Sequence, residues 1–168
     1  GIRMAAAKKF DLYGAFVVGF VTAVGGGTLR DLMLDRTPFW MVQPSYVIVT
    51  TVALLTVILL KNWMKKLSLT FLVFDAIGLA LFTVVGIERS NEVGYPIWVS
   101  IIMGCITGAA GGVFRDVLVN EEPLIFRKDI YAMACIGGGL VYWLGTSLGI
   151  AKVPVQTISA ISVFLIRL

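Results

Sequence analysis

The chain has 168 residues, of which 58% belong to the AVILMFWYC set and only 14% are charged, and its mean hydropathy is +0.93. A soluble domain carries about 25% charged residues and could not hide this much apolar surface, so composition places the fold in lipid. The chain has no His, which excludes imidazole bases and His-metal sites, and the +4 net charge is better read as basic residues gathered on one membrane face than as a nucleic-acid footprint.

In chain order, runs without Asp, Glu, Lys or Arg cover 12–29 (18 residues), 37–60 (24), 93–114 (22) and 130–151 (22). A fifth run, 67–87 (21), is interrupted only by Asp75, and a sixth, 153–166 (14), ends at Arg167. Roughly 20 helical residues cross a hydrocarbon core of about 30 Å, so five runs are predicted membrane helices and the sixth a shortened one. Strand alternation is absent, which excludes a barrel, and no apolar segment leads to a signal-peptide cleavage site. Cys105 and Cys135 sit in apolar runs without zinc spacing and are expected to be packing residues.

The most informative feature is an internal repeat at an offset of 85. Gly19 falls on Gly104, Thr22 on Thr107, Gly26-Gly27 on Gly111-Gly112, Arg30-Asp31 on Arg115-Asp116, Pro38 on Pro123 and Tyr46 on Tyr131. Leu can match Leu by chance among apolar helices, but Gly-Gly, Arg-Asp and Pro do not readily align at one offset. The helix before the second copy predicts a counterpart ahead of Gly1, so the helices are numbered two to seven. An odd number of helices per copy makes the second copy enter the membrane inverted. The expected fold is an all-α polytopic membrane protein of two inverted three-helix repeats plus a seventh helix. Repeat one takes residues 1–67, repeat two 68–152 and the extra helix 153–168, in a single transmembrane domain.

Basic loop residues set the orientation. One face collects Arg3, Lys8, Lys9, Lys61, Lys65, Lys66, Arg127, Lys128 and Arg167, and the other only Arg36, Arg89 and Lys152. The positive-inside rule makes the first face cytoplasmic, with the C-terminus inside and the N-terminus of the full protein outside a prokaryotic plasma (inner) membrane.

Helices two and five carry glycine clusters near their centres, Gly25-Gly26-Gly27 and Ala110-Gly111-Gly112. Gly costs a helix about 1 kcal/mol relative to Ala, so both are expected to unwind beside protein or a wet cavity. Interrupted helices at matched places in inverted halves point to a substrate or ion path. The small-residue stripes Ala15, Gly19, Ala23, Gly27 and Ser100, Gly104, Gly108, Gly112 suit close helix packing. Beside them, Thr22, Gly26, Arg30 and Thr107, Gly111, Arg115 form either a polar path or an ordinary face ending in a snorkelling Arg. Arg30 and Asp31 are i,i+1 neighbours that do not face each other on a helix, so if the helix holds there, their partners are elsewhere or the two serve different surfaces. Asp31 and Asp116 follow the breaks, where a carboxylate is favoured, and carbonyls around the glycines could replace part of an ion's hydration shell. Asp75 reads as an interfacial residue, with a pore-facing or helix-bridging acid as the alternative. Glu88, Glu92, Glu121 and Glu122 read as solvated loop charges.

The motifs Gly25-Gly26-Gly27-Thr28-Leu29-Arg30-Asp31 and Gly111-Gly112-Val113-Phe114-Arg115-Asp116, with Asp75-Ala76-Ile77-Gly78 opening helix four, resemble the prokaryotic trimeric intracellular cation (TRIC) channels. The same family also carries the labels glycine transporter and UPF0126. The resemblance implies seven helices, a homotrimer in the lipid and one pore per protomer beside kinked helices two and five. It also implies passage of monovalent cations, chiefly K+ with Na+, and neither a cofactor nor enzyme activity. Ala110 departs from the full glycine triplet. A carrier of a small zwitterion such as glycine is the other function this pattern suits.

Overall fold

The computed structural model describes residues 2, 4, 10–59, 68–127 and 130–168, without the side chains of 68–71 and 127. Among them the chain folds into eight helices: α1 (Leu12–Met33), α2 (Phe39–Val42), α3 (Ser45–Leu59), α4 (Ser68–Glu92), α5 (Ile97–Leu118), α6 (Leu124–Arg127), α7 (Ile130–Ser147) and α8 (Lys152–Arg167). Expected helices two, four, five, six and seven are α1, α4, α5, α7 and α8. Of these, α1, α5 and α7 are long and apolar enough to cross a membrane by length and composition. The basic residues Arg3, Lys8, Lys9, Lys61, Lys65, Lys66 and Lys128, with the Arg127 side chain, lie outside the described residues.

The run 37–60, expected as one helix, is two. Pro44 has no N–H to donate and restricts the residue before it, so Gln43 is extended (φ −123°, ψ 111°) and the chain breaks between α2 and α3. In repeat two the four-residue α6 likewise precedes the long α7.

Sequence symmetry carries into structure down to single bonds. Both α1 and α5 end on a residue in the left-handed region, Asp35 (φ 53°) and Asn120 (φ 55°), one repeat apart. Short polar side chains tolerate this conformation. Just beyond, Arg36 N donates to Asp31 O and Glu121 N to Asp116 O, both at 2.8 Å, closing the last helical turn.

The glycine clusters do not unwind as expected. Both α1 and α5 run through them as continuous α-helix. In lipid, unwinding leaves several N–H and C=O groups without partners, a greater cost than poor propensity. The glycines serve close approach instead. A Cβ on Gly26 would collide with the Thr107 carbonyl oxygen, and one on Gly111 would lie 2.5 Å from the Thr22 carbonyl oxygen. Forward along α1 is therefore backward along α5, and the two contacts exchange under the 85-residue offset. The repeats cross antiparallel, backbone against backbone. The stripe Gly104, Gly108 turns to α4, where added Cβ atoms would lie 2.7 Å from Thr83 O and Thr83 Oγ1. The core beside this crossing joins Leu79, Ala109, Tyr131, Ala134, Cys135 and Val163, with Cys105 packed against it.

Gly26→Ala is expected to push the crossing apart and cost about 1–3 kcal/mol, as overpacking does. Gly78, whose Cβ would meet nothing within 4 Å, should accept Ala at no cost. Thermal unfolding in detergent checks the contrast, and equal melting temperatures for the two variants would contradict it.

Candidate functional site

Where α1 and α5 cross, α4 does not fill the angle between them, and a cavity of about 280 Å³ remains. Thr22, Ala23, Gly26 and Gly27 wall it from α1, and Thr107, Gly108, Gly111, Gly112 and Arg115 from α5. Asp75 and Gly78 close the α4 side, with Tyr131 at one end. The glycines thus do two things: they let the backbones touch and they leave one wall without side chains. The Thr22 and Thr107 hydroxyls donate to Val18 O (2.5 Å) and Met103 O (2.6 Å) of their own helices, leaving hydroxyl lone pairs available.

Five expected residues lie off this cavity. Gly25 packs under the Phe114 ring, and Ala110 lines a separate apolar groove with Cys105 and Phe114. Arg30, Asp31 and Asp116 form the posts behind the walls. Arg30 Nε donates to Asp31 Oδ1 (2.8 Å), and Asp31 Oδ2 accepts from Phe39 N (2.9 Å), the first residue of α2. Arg115 Nε donates to Asp116 Oδ1 (2.8 Å), and Asp116 Oδ2 accepts from Leu124 N (3.1 Å), the first residue of α6.

The expectation that these neighbours would not meet is therefore corrected. Their Cβ atoms diverge, but the Arg stem is long enough to fold its guanidinium back onto the adjacent carboxylate. In a medium of low dielectric that is the nearest available countercharge. Snorkelling is excluded too, since Arg30 and Arg115 are only 4% and 7% exposed. Each Arg-Asp unit is a neutral cap that ties a long helix to the short helix after it.

Arg30 gives both Nε and Nη2 to Asp31, and its guanidinium lies 5.7 Å from the Phe39 ring centroid. Arg115 sends Nη1 to Asp75 Oδ1 at 3.0 Å. Asp75 takes the helix-bridging role given above as the alternative. Its side chain is 14% exposed, and it bridges α4 to Arg115 of α5 and to Arg167 of α8, whose Nη2 lies 3.6 Å from Oδ2.

Arg167, counted above among the basic loop residues, lies buried inside the bundle. It is 4% exposed and stacks over the Tyr131 ring, 4.9 Å from the centroid. Sequence reasoning missed Arg167 and, among the residues that line the cavity, Phe74, Leu79, Phe82 and Tyr131. A signal for Arg167 existed, because Val155, Ser159, Val163 and Arg167 recur every four residues and form the buried face of α8. Tyr131 had its signal in the match with Tyr46.

Of the acids read as solvated loop charges, Glu88 is partly buried, whereas Glu92 and Glu122 are exposed. Glu88 accepts from the Tyr142 hydroxyl (3.5 Å) and the Gln156 amide, with Lys152 Nζ 3.5 Å away. Glu92 pairs with Arg89 (3.1 Å) and Arg36 (3.8 Å), while Glu121 and Glu122 are engaged as well.

Comparison with known proteins decides the relationship. A family model described as "Glycine transporter" matches residues 1–62 and 72–147. The UPF0126 inner membrane protein YadS of Escherichia coli K12 is 40% identical over 161 residues, covering 95% of this chain and 77% of that protein. A UPF0126 membrane protein of Vibrio cholerae is 39% identical over 170 residues, covering 100% and 71%. The TRIC trimeric intracellular cation channel orthologue from Rhodobacter sphaeroides superposes with a TM-score of 0.93 at 34% identity, covering 99% of this chain and 86% of that one. A second TRIC cation channel structure, described for conductance, gives 0.90 at 32%, covering 99% and 83%.

The chain belongs to the TRIC/UPF0126 family. It is a polytopic, all-helical membrane protein of that family, and the expected resemblance holds along its length. The TRIC/UPF0126 repeat also tells the two buried acids apart. Asp116 neutralises Arg115 and caps α6, whereas Asp75 is shared between Arg115 and the buried Arg167, which has no other carboxylate beside it among the described residues. Asp75→Ala should therefore cost about 3–5 kcal/mol by stranding the Arg167 charge, and Asp116→Asn, which leaves Arg115 its bond to Asp75, less. Unfolding of the two variants in micelles checks the ranking, and a reversed order would contradict it.

Proposed function

We propose that this chain is a channel for monovalent cations, permeable to K+ and Na+, with one path per protomer through the cavity beside Gly26 and Gly111. The observation that carries the reading is the wall of that cavity: glycyl backbone, two Thr hydroxyls and the Asp75 carboxylate with the Arg115 that it pairs with, flanked by Phe74 and Phe82, at the crossing of two inverted halves. The high structural likeness to TRIC cation channels supports it.

Because α1 and α5 stay helical, their carbonyls are largely committed to their own helices and cannot form a tight dehydrating ring. The cavity has room for several waters, so the ion passes with much of its hydration shell and K+ is only weakly preferred over Na+. Arg30 and Arg115 hold the helix ends through the Arg-Asp caps and so set the open fraction. No cofactor takes part. The protein works as a homotrimer among membrane lipids, multi-pass in a prokaryotic inner membrane with its C-terminus cytoplasmic. Its repeats are 1–67 and 68–152, with 153–168 as the additional helix.

A second reading, a carrier for a small zwitterion such as glycine, is favoured by one observation. Arg115 and Asp75 share the cavity wall and offer opposite charges to a carboxylate and an ammonium group. Planar-bilayer recording on the full-length protein separates the readings. The channel predicts unitary current steps that reverse near the K+ equilibrium potential under opposed K+ and Cl− gradients. Reversal near the Cl− potential, or saturable glycine counterflow without steps, would overturn it. Arg30→Ala and Arg115→Ala should each change the open fraction, and unchanged gating in both would remove their assigned role.

A further inference from the structure

Four ionisable side chains form one line beside the cavity, Asp116, Arg115, Asp75 and Arg167. Two are positive and two negative, so the line is neutral. Its two cations are held very differently. Arg115 is fixed by bonds of 2.8 and 3.0 Å to two carboxylates. Arg167 stands 3.6 Å from Asp75 Oδ2, too far for a hydrogen bond. Among the described residues, neither that oxygen nor Arg167 Nε has a hydrogen-bond partner, although both atoms are enclosed. What holds the Arg167 guanidinium is the face of Tyr131 and the charge of Asp75.

Position matters as much as bonding. Asp75 and Tyr131 line the cavity, and Arg167 is not among its lining residues. Arg167 thus neutralises Asp75 without itself lining the cavity, and the carboxylate oxygen nearest to it has no hydrogen bond among the described residues. Arg167 arrives on α8, the helix outside the two repeats, whose Ser159 Oγ donates to Gly138 O at 2.8 Å and whose Val163 packs into the gap at Gly138. Movement of α8 along α7 would carry the countercharge with it.

We infer that Arg167 is a tethered cation that competes with the permeating cation for the Asp75 carboxylate and so sets how readily the cavity fills. The inference rests on the channel reading above and concerns regulation of that same site. A solely structural Arg167 would anchor α8 and leave ion occupancy unaffected.

Conductance of the full-length protein is to be measured against K+ concentration, with N-methylglucamine chloride keeping ionic strength constant. Arg167→Gln should lower the half-saturating K+ concentration on the order of tenfold and raise K+-over-Cl− permeability, because one nearby positive charge is gone. Arg167→Lys should stay within about twofold of the parent, since the charge remains. Adding Asp75→Asn to Arg167→Gln should abolish the gain. If Arg167→Gln does not fold, Tyr131→Leu keeps both charges but removes the ring that holds the guanidinium, and should shift the curve the same way by less. An unchanged curve in Arg167→Gln or, in its stead, Tyr131→Leu overturns the inference, as does a gain that survives Asp75→Asn. Cation currents in the parent alongside unchanged variants would sink this inference alone. Their absence from the parent would sink the channel reading and this inference with it.

Discussion

Two helices of this protein touch through bare backbone, and most other features follow from that contact. Between lipid and protein there is little hydrophobic gain for helix association, so close packing of small residues has to supply the attraction. At Gly26 and Gly111 the backbones approach until a single added carbon on either would strike the other helix's carbonyl. The contact is made twice, once in each direction, because the two helices are copies of one segment lying antiparallel. The same lack of side chains leaves a gap on the neighbouring face, and α4 completes the cavity without filling it.

Charge placement follows from lipid in the same way. A lone ionised group inside a bilayer is costly, and here each Arg carries its own Asp as the next residue. The pair folds back on itself, and the remaining carboxylate oxygen caps the first turn of a short helix. This unit is neutral and compact, and it is present in both copies. Beside the second pair stand Asp75 of α4 and Arg167 of the last helix. There the charge is shared across three helices, and the cavity acquires a polar wall.

Much of the architecture was legible in the sequence because the repeat is gap-free. Matching Arg-Asp and Gly-Gly pairs announced the inverted halves, and the structure places Thr22, Gly26, Gly27, Thr107, Gly111, Gly112, Arg115 and Asp75 on one cavity. What propensity alone misjudged was the glycines, for a scale measured in water overstates unwinding where freed backbone has no partner. The split of 37–60 was signalled by Pro44 and obscured by an unbroken apolar run. Arg167 escaped because a basic residue ending an apolar run looks like an interfacial anchor. Only the i+4 spacing from Val163 and Ser159 shows that it continues the buried face.

The central claim is that water reaches the glycyl wall at the crossing. Replacing Cys105 and Cys135 by Ala and placing a single Cys at Gly78 gives a probe on the cavity's α4 side, with a single Cys at the fully buried Ala76 as the control. A charged, membrane-impermeant thiol reagent applied to reconstituted protein should modify the Gly78 position, leave Ala76 untouched and reduce the current. Inertness at both positions would mean a dry, closely packed crossing and would contradict the account.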